Sequence, residues 1–486
     1  MSRILEKLEP KEVFGFFEDI SQIPRGSKNE KDISDYLVDF AKQRNLEVIQ
    51  DEALNVIIRK SGTVGYENSP IIILQGHMDM VCEKNIGTDH DFMKDPLKLK
   101  IEDDFIMASG TTLGADNGIA VAYALALLDS KDILHPPLEV LITTDEETGM
   151  TGAIELNPDN LKGRILLNMD SGEEGILLTS CAGGIRNSIE VPVDRENIDD
   201  SFIGYNIKVR GLKGGHSGSE IDKERGNSNK IMGRVLNKLN SSIQFKLVEI
   251  SGGAKSNAIP RESDSLILIK ESDEKKLEET ILSLERTIKN EFKASDPEIR
   301  IYLEKDEKIY KEAFSDKCTK KIIASLVLLP NGVQSMSMDI EGLVQSSNNV
   351  GVVTTTERSV TIENAIRSSI DSLKFEIVER IDMLANLLGV ESESGSSYPS
   401  WSYKEDSYIR DIFIKSFKNK YGKDPKVTAI HAGLECGQFS EKFNGEIDMI
   451  SFGPDMFDIH TPDEKLSISS TKRTWDLLLE ILKSIK

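Results

Sequence analysis

Cysteine is sparse in this chain. Cys82, Cys181, Cys318 and Cys436 lie far apart and form no CxxC pair, which excludes a disulfide framework and a thiolate metal cage and fits ordinary thiols in a reducing compartment. Long apolar runs are missing as well: no stretch reaches the roughly 18 residues of a membrane-spanning helix. The opening MSRILEKLEPKE alternates charged and apolar residues, without the apolar core and small-residue cleavage site of a secretory signal, so a cytoplasmic protein is expected. Positive charge is in deficit, with 60 Lys+Arg against 82 Asp+Glu and a formal charge of −22. Such a field repels nucleic acid and anionic membrane and favours cationic partners, metal ions included. Aromatic residues make up only 6% of the chain and histidine only six positions, yet a hydrophobic fraction of 38% and a charged fraction of 29% are those of a soluble globular protein. The 486 residues are too many for one ordinary core and favour two or three domains.

The first part reads as α/β, with apolar, β-branched runs followed by turn residues and helical periodicity. Strands are predicted over 55–60, 70–76, 138–144 and 164–170, and within them 71–74 and 140–143 are continuously apolar or β-branched, as central strands covered on both faces would be. A helix rich in Ala and Leu is predicted from Asp116 to Asp129, with Asp116 near its start. From about residue 187 the character changes. Strands over 208–212, 247–251 and 266–270 and a charged amphipathic helix over 274–292 describe a separate α+β insertion. An echo follows, with strands over 334–340, 342–347 and 350–355 and a helix over 369–388. The polar Ser/Gly/Pro-rich segment 391–400 reads as an exposed connection back to the first domain, and the chain closes with an amphipathic helix over 469–485.

The chemistry is carried by a set of His and carboxylate residues, each just after a predicted strand, where open α/β sheets bind ligands. They are His77 and Asp79 in QGHMDMV, Asp116 in LGADNG, Glu146 and Glu147 in TTDEETG, Asp170 in LNMDSGEEG, and His460 in FGPDMFDIHTPDE. Any one acidic residue among 82 is by default a solvated surface group, and a lone His beside Gly, Met or Phe is by default a satisfied core residue. As a set, two imidazoles and three or four carboxylates make the nitrogen and oxygen donor group that suits a pair of Zn²⁺ ions. A shared carboxylate holds two metals roughly 3.5–4 Å apart, and a hydroxide between them is a nucleophile at neutral pH.

These motifs, in this order, resemble the co-catalytic zinc peptidases, the family that includes carnosinase, acetylornithine-type deacylases and tripeptidase-type aminopeptidases. The strings GGHSG, NAIPRE and HAGLECGQF are most similar to its branch of bacterial dipeptidases acting on aminoacyl-histidine peptides, and the resemblance spans essentially the whole chain. It implies an α/β catalytic domain of the zinc-peptidase type, made from residues 1–186 and 397–486, with an α+β lid over 187–396 inserted into it. It implies two Zn²⁺ per chain, for which Co²⁺ or Mn²⁺ can substitute. His77 and Asp170 are then ligands of one metal, Glu147 and His460 of the other, and Asp116 the bridge. Asp79 holds the His77 ring, a support that a metal-bound imidazole needs in any case. Glu146 takes a proton from the bridging water and passes it to the leaving amine. The family also has a cis peptide after the bridging Asp, here Asp116–Asn117. His216 in GLKGGHSG matches a His that polarises the scissile carbonyl, and Asn257, Arg261 and Arg367 match binders of the substrate carboxylate. Gly433 and Glu435 in HAGLECGQF are further substrate-binding candidates, although Glu435 and the neighbouring His431 also read as loop residues.

The expected activity is hydrolysis of dipeptides, including Xaa-His, with a small peptide as partner, no nucleic acid or membrane partner, and a homodimer left open. A deacylase of N-acyl amino acids with the same metals is the alternative. GGHSG is not the nucleophile elbow of a serine hydrolase, since Ser217 follows the His and no strand–Gly–x–Ser frame precedes it. A scaffold that merely binds zinc has no need of Glu146 beside Glu147. Because a ligand and a base on adjacent residues cannot both face one side of a regular strand, the backbone of TTDEETG is expected to be irregular.

Overall fold

The computed structural model describes residues 3–486, so the first two residues of the opening MSRILEKLEPKE stretch lie outside it. The chain forms two compact units. One comprises residues 3–180, Trp401–Ala429 and Leu434–Lys486; the other comprises Cys181–Ser400 and Ile430–Gly433. Among the described residues no helix is long and apolar enough to cross a membrane.

The first unit is built on an eight-stranded mixed sheet in the order Glu47–Gln50, Val56–Lys60, Leu138–Thr143, Ile72–His77, Ile165–Asn168, Asp448–Ser451, Ile176–Cys181, Lys426–Ile430. Its four central strands, from Leu138–Thr143 to Asp448–Ser451, run parallel. Ile72–His77 and Leu138–Thr143 are buried at every position, because helices cover both faces of a parallel sheet and alternation disappears from the sequence. The helix Ala115–Asp129 is buried almost all round, which is why Ala and small apolar residues fill it: a helix inside a core has no polar face to keep. In-register pairing sets His77 beside Thr143 and Gln75 beside Asn168, so the carboxyl ends of three parallel strands come level. A separate four-stranded sheet, Met456–Phe457, Lys465–Ser467, Phe105–Ala108, Leu99–Glu102, completes the unit. Its antiparallel pair Met456–Phe457 and Lys465–Ser467 carries His460 on the connecting loop.

The second unit is an antiparallel sheet of nine strands, Gly332–Met336 pairing with Val344–Thr355 outside the main path. The helices Ser228–Asn240, Glu274–Glu291, Asp316–Leu328 and Asp371–Leu388 supply the other side of its core. Two predicted features differ here. The strands predicted over 342–347 and 350–355 are one strand, Val344–Thr355, with a register shift between Val350 and Val352. Gly351 sits at that bulge, where a Cβ would meet the Ser256 backbone at 2.6 Å, so the glycine marks a close approach inside a strand. The segment read as an exposed connection is the edge strand Glu391–Tyr398, antiparallel to Gly183–Pro192. Paired on one side only and exposed along most of its length, it shows no apolar alternation, and its serines serve as partners instead: Asn187 Nδ2 donates to Ser392 Oγ at 2.9 Å and Ser394 Oγ at 3.0 Å.

Candidate active site

The ends of the parallel strands deliver the candidate residues one by one. His77 is the last residue of Ile72–His77, and Asp170 follows Ile165–Asn168 by two residues. After Leu138–Thr143 the chain leaves the sheet through Asp145, whose φ of 55° lies in the left-handed region, which Asp tolerates better than most residues. Asp145 is fastened by its own turn: its N–H donates to Glu30 Oε1 at 3.0 Å, and its carboxylate accepts the hydroxyls of Thr148 and Thr151. The backbone irregularity expected for Glu146 and Glu147 therefore precedes the pair, at Asp145. Asp116 and Asn117 have non-helical backbone angles at the start of their helix, and the peptide between them is cis.

Five of the candidates meet in two overlapping groups, His77 with Asp116 and Asp170, and Asp116 with Glu147 and His460. His77 Nε2 stands 3.4 Å from Asp116 Oδ1 and 3.5 Å from Asp170 Oδ1. His460 Nε2 stands 3.3 Å from Asp116 Oδ2 and 3.0 Å from Glu147 Oε2. Asp116 thus turns a different oxygen to each group. Bonds of about 2.0–2.2 Å in a tetrahedral shell set neighbouring donors about 3.3–3.6 Å apart, so most of these spacings are those of donors around a cation.

Electrostatics point the same way. Burial, reinforced by the charge of Asp116 and opposed by His77, pushes the Asp170 carboxyl up to about 7. Burial raises Glu146 well above the usual carboxylate range, with Asp170, Glu435 and Glu147 adding like charge. Hydrogen bonds to Asp116 and Glu147 lift His460 to about 10. Carboxylates crowded this closely repel one another and lose hydration, and divalent cations among them relieve both costs. The donor set fits a pair of divalent metal ions.

Asp79 supports this group from behind. Its Oδ1 lies 3.3 Å from His77 Nδ1 and accepts the Glu146 N–H at 3.1 Å, while Oδ2 accepts from Ser27 Oγ at 2.8 Å and the Glu147 N–H at 3.3 Å. Glu435 is fully buried, with Oε2 accepting from Gln75 Nε2 at 2.6 Å and Thr143 Oγ1 at 2.8 Å. Its Oε1 is buried and has no hydrogen-bond partner among the described residues.

The remaining candidates lie in the second unit. His216 sits in a short strand paired with Ala258–Ile259 and lines an open cavity of about 820 Å³ together with Asn257, Arg261, Lys213 and Lys255. Its Nδ1 accepts the backbone N–H groups of Gly218 and Ser219 at 3.3 and 3.1 Å, so the neutral ring carries its proton on Nε2. Burial and the charge of Arg367 lower its pKa. Arg367 itself is buried and donates to the Tyr398 hydroxyl at 2.9 Å. Gly433 belongs to the short piece Ile430–Gly433 of this unit.

The model of Peptidase family M20/M25/M40 matches residues 73–484. The chain belongs to this peptidase family. Cytosol non-specific dipeptidase of Escherichia coli is 39% identical over 481 residues, 99% of each chain. The crystal structure of aminoacylhistidine dipeptidase from Vibrio alginolyticus superposes with a TM-score of 0.94 at 41% identity, covering 99% of this chain and 98% of that one. The aminopeptidase PepT of Bacillus cereus, at 16% identity with a TM-score of 0.56 over 98% of both chains, shares the fold. The family match spans all five grouped residues and Glu146.

Two residues outside the predicted set bear on the site. Arg25, in IPRG, is buried and donates through Nη1 to the carbonyls of Met78 and Asp79 at 2.9 and 3.3 Å and through Nη2 to that of Gly114. Nothing near it in sequence signals chemistry. Glu464, four residues beyond His460, is also buried and accepts backbone N–H groups from the LGADNG turn. Being one more acid in an acidic chain, it carried no local signal.

Proposed function

We propose that the chain is a metal-dependent dipeptidase of broad specificity, including Xaa-His dipeptides, that works in the cytoplasm with two Zn²⁺ ions and Glu146 as general base. The observation that carries this reading is Asp116 shared between two donor groups, with Glu146 on the residue beside Glu147 and outside both groups. His77, Asp116 and Asp170 would hold one ion, and Asp116, Glu147 and His460 the other. When bound, the ions supply Lewis acidity and a water that is deprotonated at neutral pH.

The protein's own residues do the rest. Asp79 orients the His77 ring and holds the backbone of Glu146 and Glu147 with the same carboxylate. Glu146, free of a ligand's task, takes a proton from the attacking water and delivers it to the leaving amine. His216 supplies an N–H donor to the substrate carbonyl oxygen as charge develops there. Its fixed Nε2–H tautomer and lowered pKa support that role, since a neutral donor of one orientation needs no reorganisation during the reaction. Asn257, Arg261 and Arg367 bind the substrate carboxylate.

The test is Glu146→Gln, assayed on a few dipeptides and one N-acetyl amino acid, with and without a chelator, beside metal analysis. Turnover should fall by at least roughly 10²–10⁴-fold with metal content unchanged. Parental activity would remove Glu146 from the mechanism. Preference for the N-acetyl amino acid would make the chain a deacylase.

A further inference from the structure

The loop carrying His460 is the least supported part of the ligand set. His460 has a φ of 65° and its side chain is 48% exposed, whereas His77 is buried at the end of a central strand. Ligand and bridge nevertheless come within 3.3 Å of one another, and beside the contacts of the ring itself a further interaction joins their two segments.

Glu464, at the end of the same loop, makes that connection. Its Oε2 accepts the N–H groups of Leu113 and Gly114 at 2.7 and 2.9 Å, and its Oε1 those of Ala115 and Asp116 at 2.8 and 3.3 Å. Four consecutive backbone donors on one buried carboxylate are charge-assisted hydrogen bonds, stronger than neutral ones. Arg25 holds the opposite polar side of the same turn through the Gly114 carbonyl, and joins it to the His77 segment through the carbonyls of Met78 and Asp79. The glycines of LGADNG make room for this: a Cβ at Gly114 or Gly118 would stand 2.6 Å from Arg25 Nη2. Asn117 completes the tie, its Oδ1 accepting the His77 N–H at 3.2 Å and its Nδ2 donating to the Met169 carbonyl at 2.8 Å.

We propose that Glu464 is a positioning residue: with Arg25 as counterweight, it staples the His460 loop to the Asp116 turn and so presets the Asp116–Glu147–His460 group before metal arrives. The proposal rests on the two-metal reading above. Glu464 thus ties the His460 loop to the backbone of the Asp116 turn, while Arg25 and Asn117 tie the same turn separately to the His77 segment. Removing the staple weakens one metal site of the two.

The full chain stripped of metal, the Glu464→Gln variant and the Glu464→Asp variant are each titrated with Zn²⁺ by calorimetry, and with Co²⁺ by its visible spectrum, beside the melting midpoint of the metal-free protein. The parent should take two equivalents. Glu464→Gln should lose affinity for one equivalent by roughly 10–100-fold while the other changes less than about threefold, with the metal-free midpoint retained and an altered Co²⁺ spectrum. Glu464→Asp, which keeps the charge with a shorter reach, should fall between the two, and it carries the test alone if Glu464→Gln does not fold. Parental affinities for both equivalents overturn the staple. So does an equal loss at both sites accompanied by a lower metal-free midpoint, which marks a general structural role. A parent that takes fewer than two equivalents refutes the two-metal reading instead.

Discussion

Asp79 Oδ1 accepts the backbone N–H of Glu146 at 3.1 Å, so the residue behind the His77 ring also fixes the segment that carries Glu146. Both oxygens of Asp79 act as acceptors, and an amide can accept through only one atom. Asp79→Asn is therefore expected to lower kcat/KM and metal affinity together, by roughly 10–100-fold each. Metal titration beside steady-state kinetics checks this, and a variant with parental values in both would show that Asp79 is not needed for either.

His460→Ala should reduce metal content to about one equivalent per chain and abolish turnover at micromolar zinc, since Glu147 and Asp116 are left as two of the three donors of their group. Exhaustive dialysis followed by elemental analysis provides the count. An unchanged stoichiometry and affinity would mean that another residue is the distal ligand.

His216→Ala should leave two metal equivalents in place and lower kcat by roughly 10²–10³-fold, the value of one positioned donor to a developing oxyanion. Gln in its place can still offer an N–H and should recover part of the loss. If kcat for the Ala variant stays within a fewfold of the parent, His216 is no more than a polar group in a glycine-rich turn.

His431 gives the second unit a sensitivity to acid. Burial, with the charges of Arg367 and His216, lowers its pKa to about 3, and its Nε2 lies 2.7 Å from Ser347 Oγ. The unfolded chain takes up a proton at this residue near pH 6.5 and the folded chain does not. Stability is therefore complete above about pH 6.5 and declines as the pH falls toward 3. Between pH 7 and pH 5 this residue alone should cost about 2 kcal/mol. Urea unfolding at the two pH values checks it: His431→Asn should narrow the difference, and an equal pH dependence in parent and variant would assign the acid sensitivity elsewhere.

Several parts of this architecture were legible because local chemistry left no choice. The apolar and β-branched runs 71–74 and 140–143, inside the buried strands Ile72–His77 and Leu138–Thr143, read as central strands, and His or acidic residues directly after them gather at one edge of the sheet. The Ala/Leu run after Asp116 could only be a helix. By contrast, the edge strand Glu391–Tyr398 was illegible, because a strand exposed on most of its length leaves a polar sequence like that of a loop. Gly351 concealed the continuity of Val344–Thr355 for a related reason: a glycine inside a strand looks like a break until the neighbouring backbone that requires it is in place.

The sequence by itself determined the candidate donors, their order along the chain and their chemistry, since imidazole and carboxylate side chains announce what they can bind wherever they stand. Only the tertiary structure decided how the donors are aimed. Asp116 divides its two oxygens between His77 and His460, Asp145 turns the chain so that Glu147 joins a group and Glu146 does not, and Glu435 is held through Oε2 by Gln75 and Thr143. Arg25 and Glu464 belong to this second kind as well. Their partners are backbone carbonyls and N–H groups of distant segments, which nearly every residue possesses, and so nothing in the order of side chains could point to them.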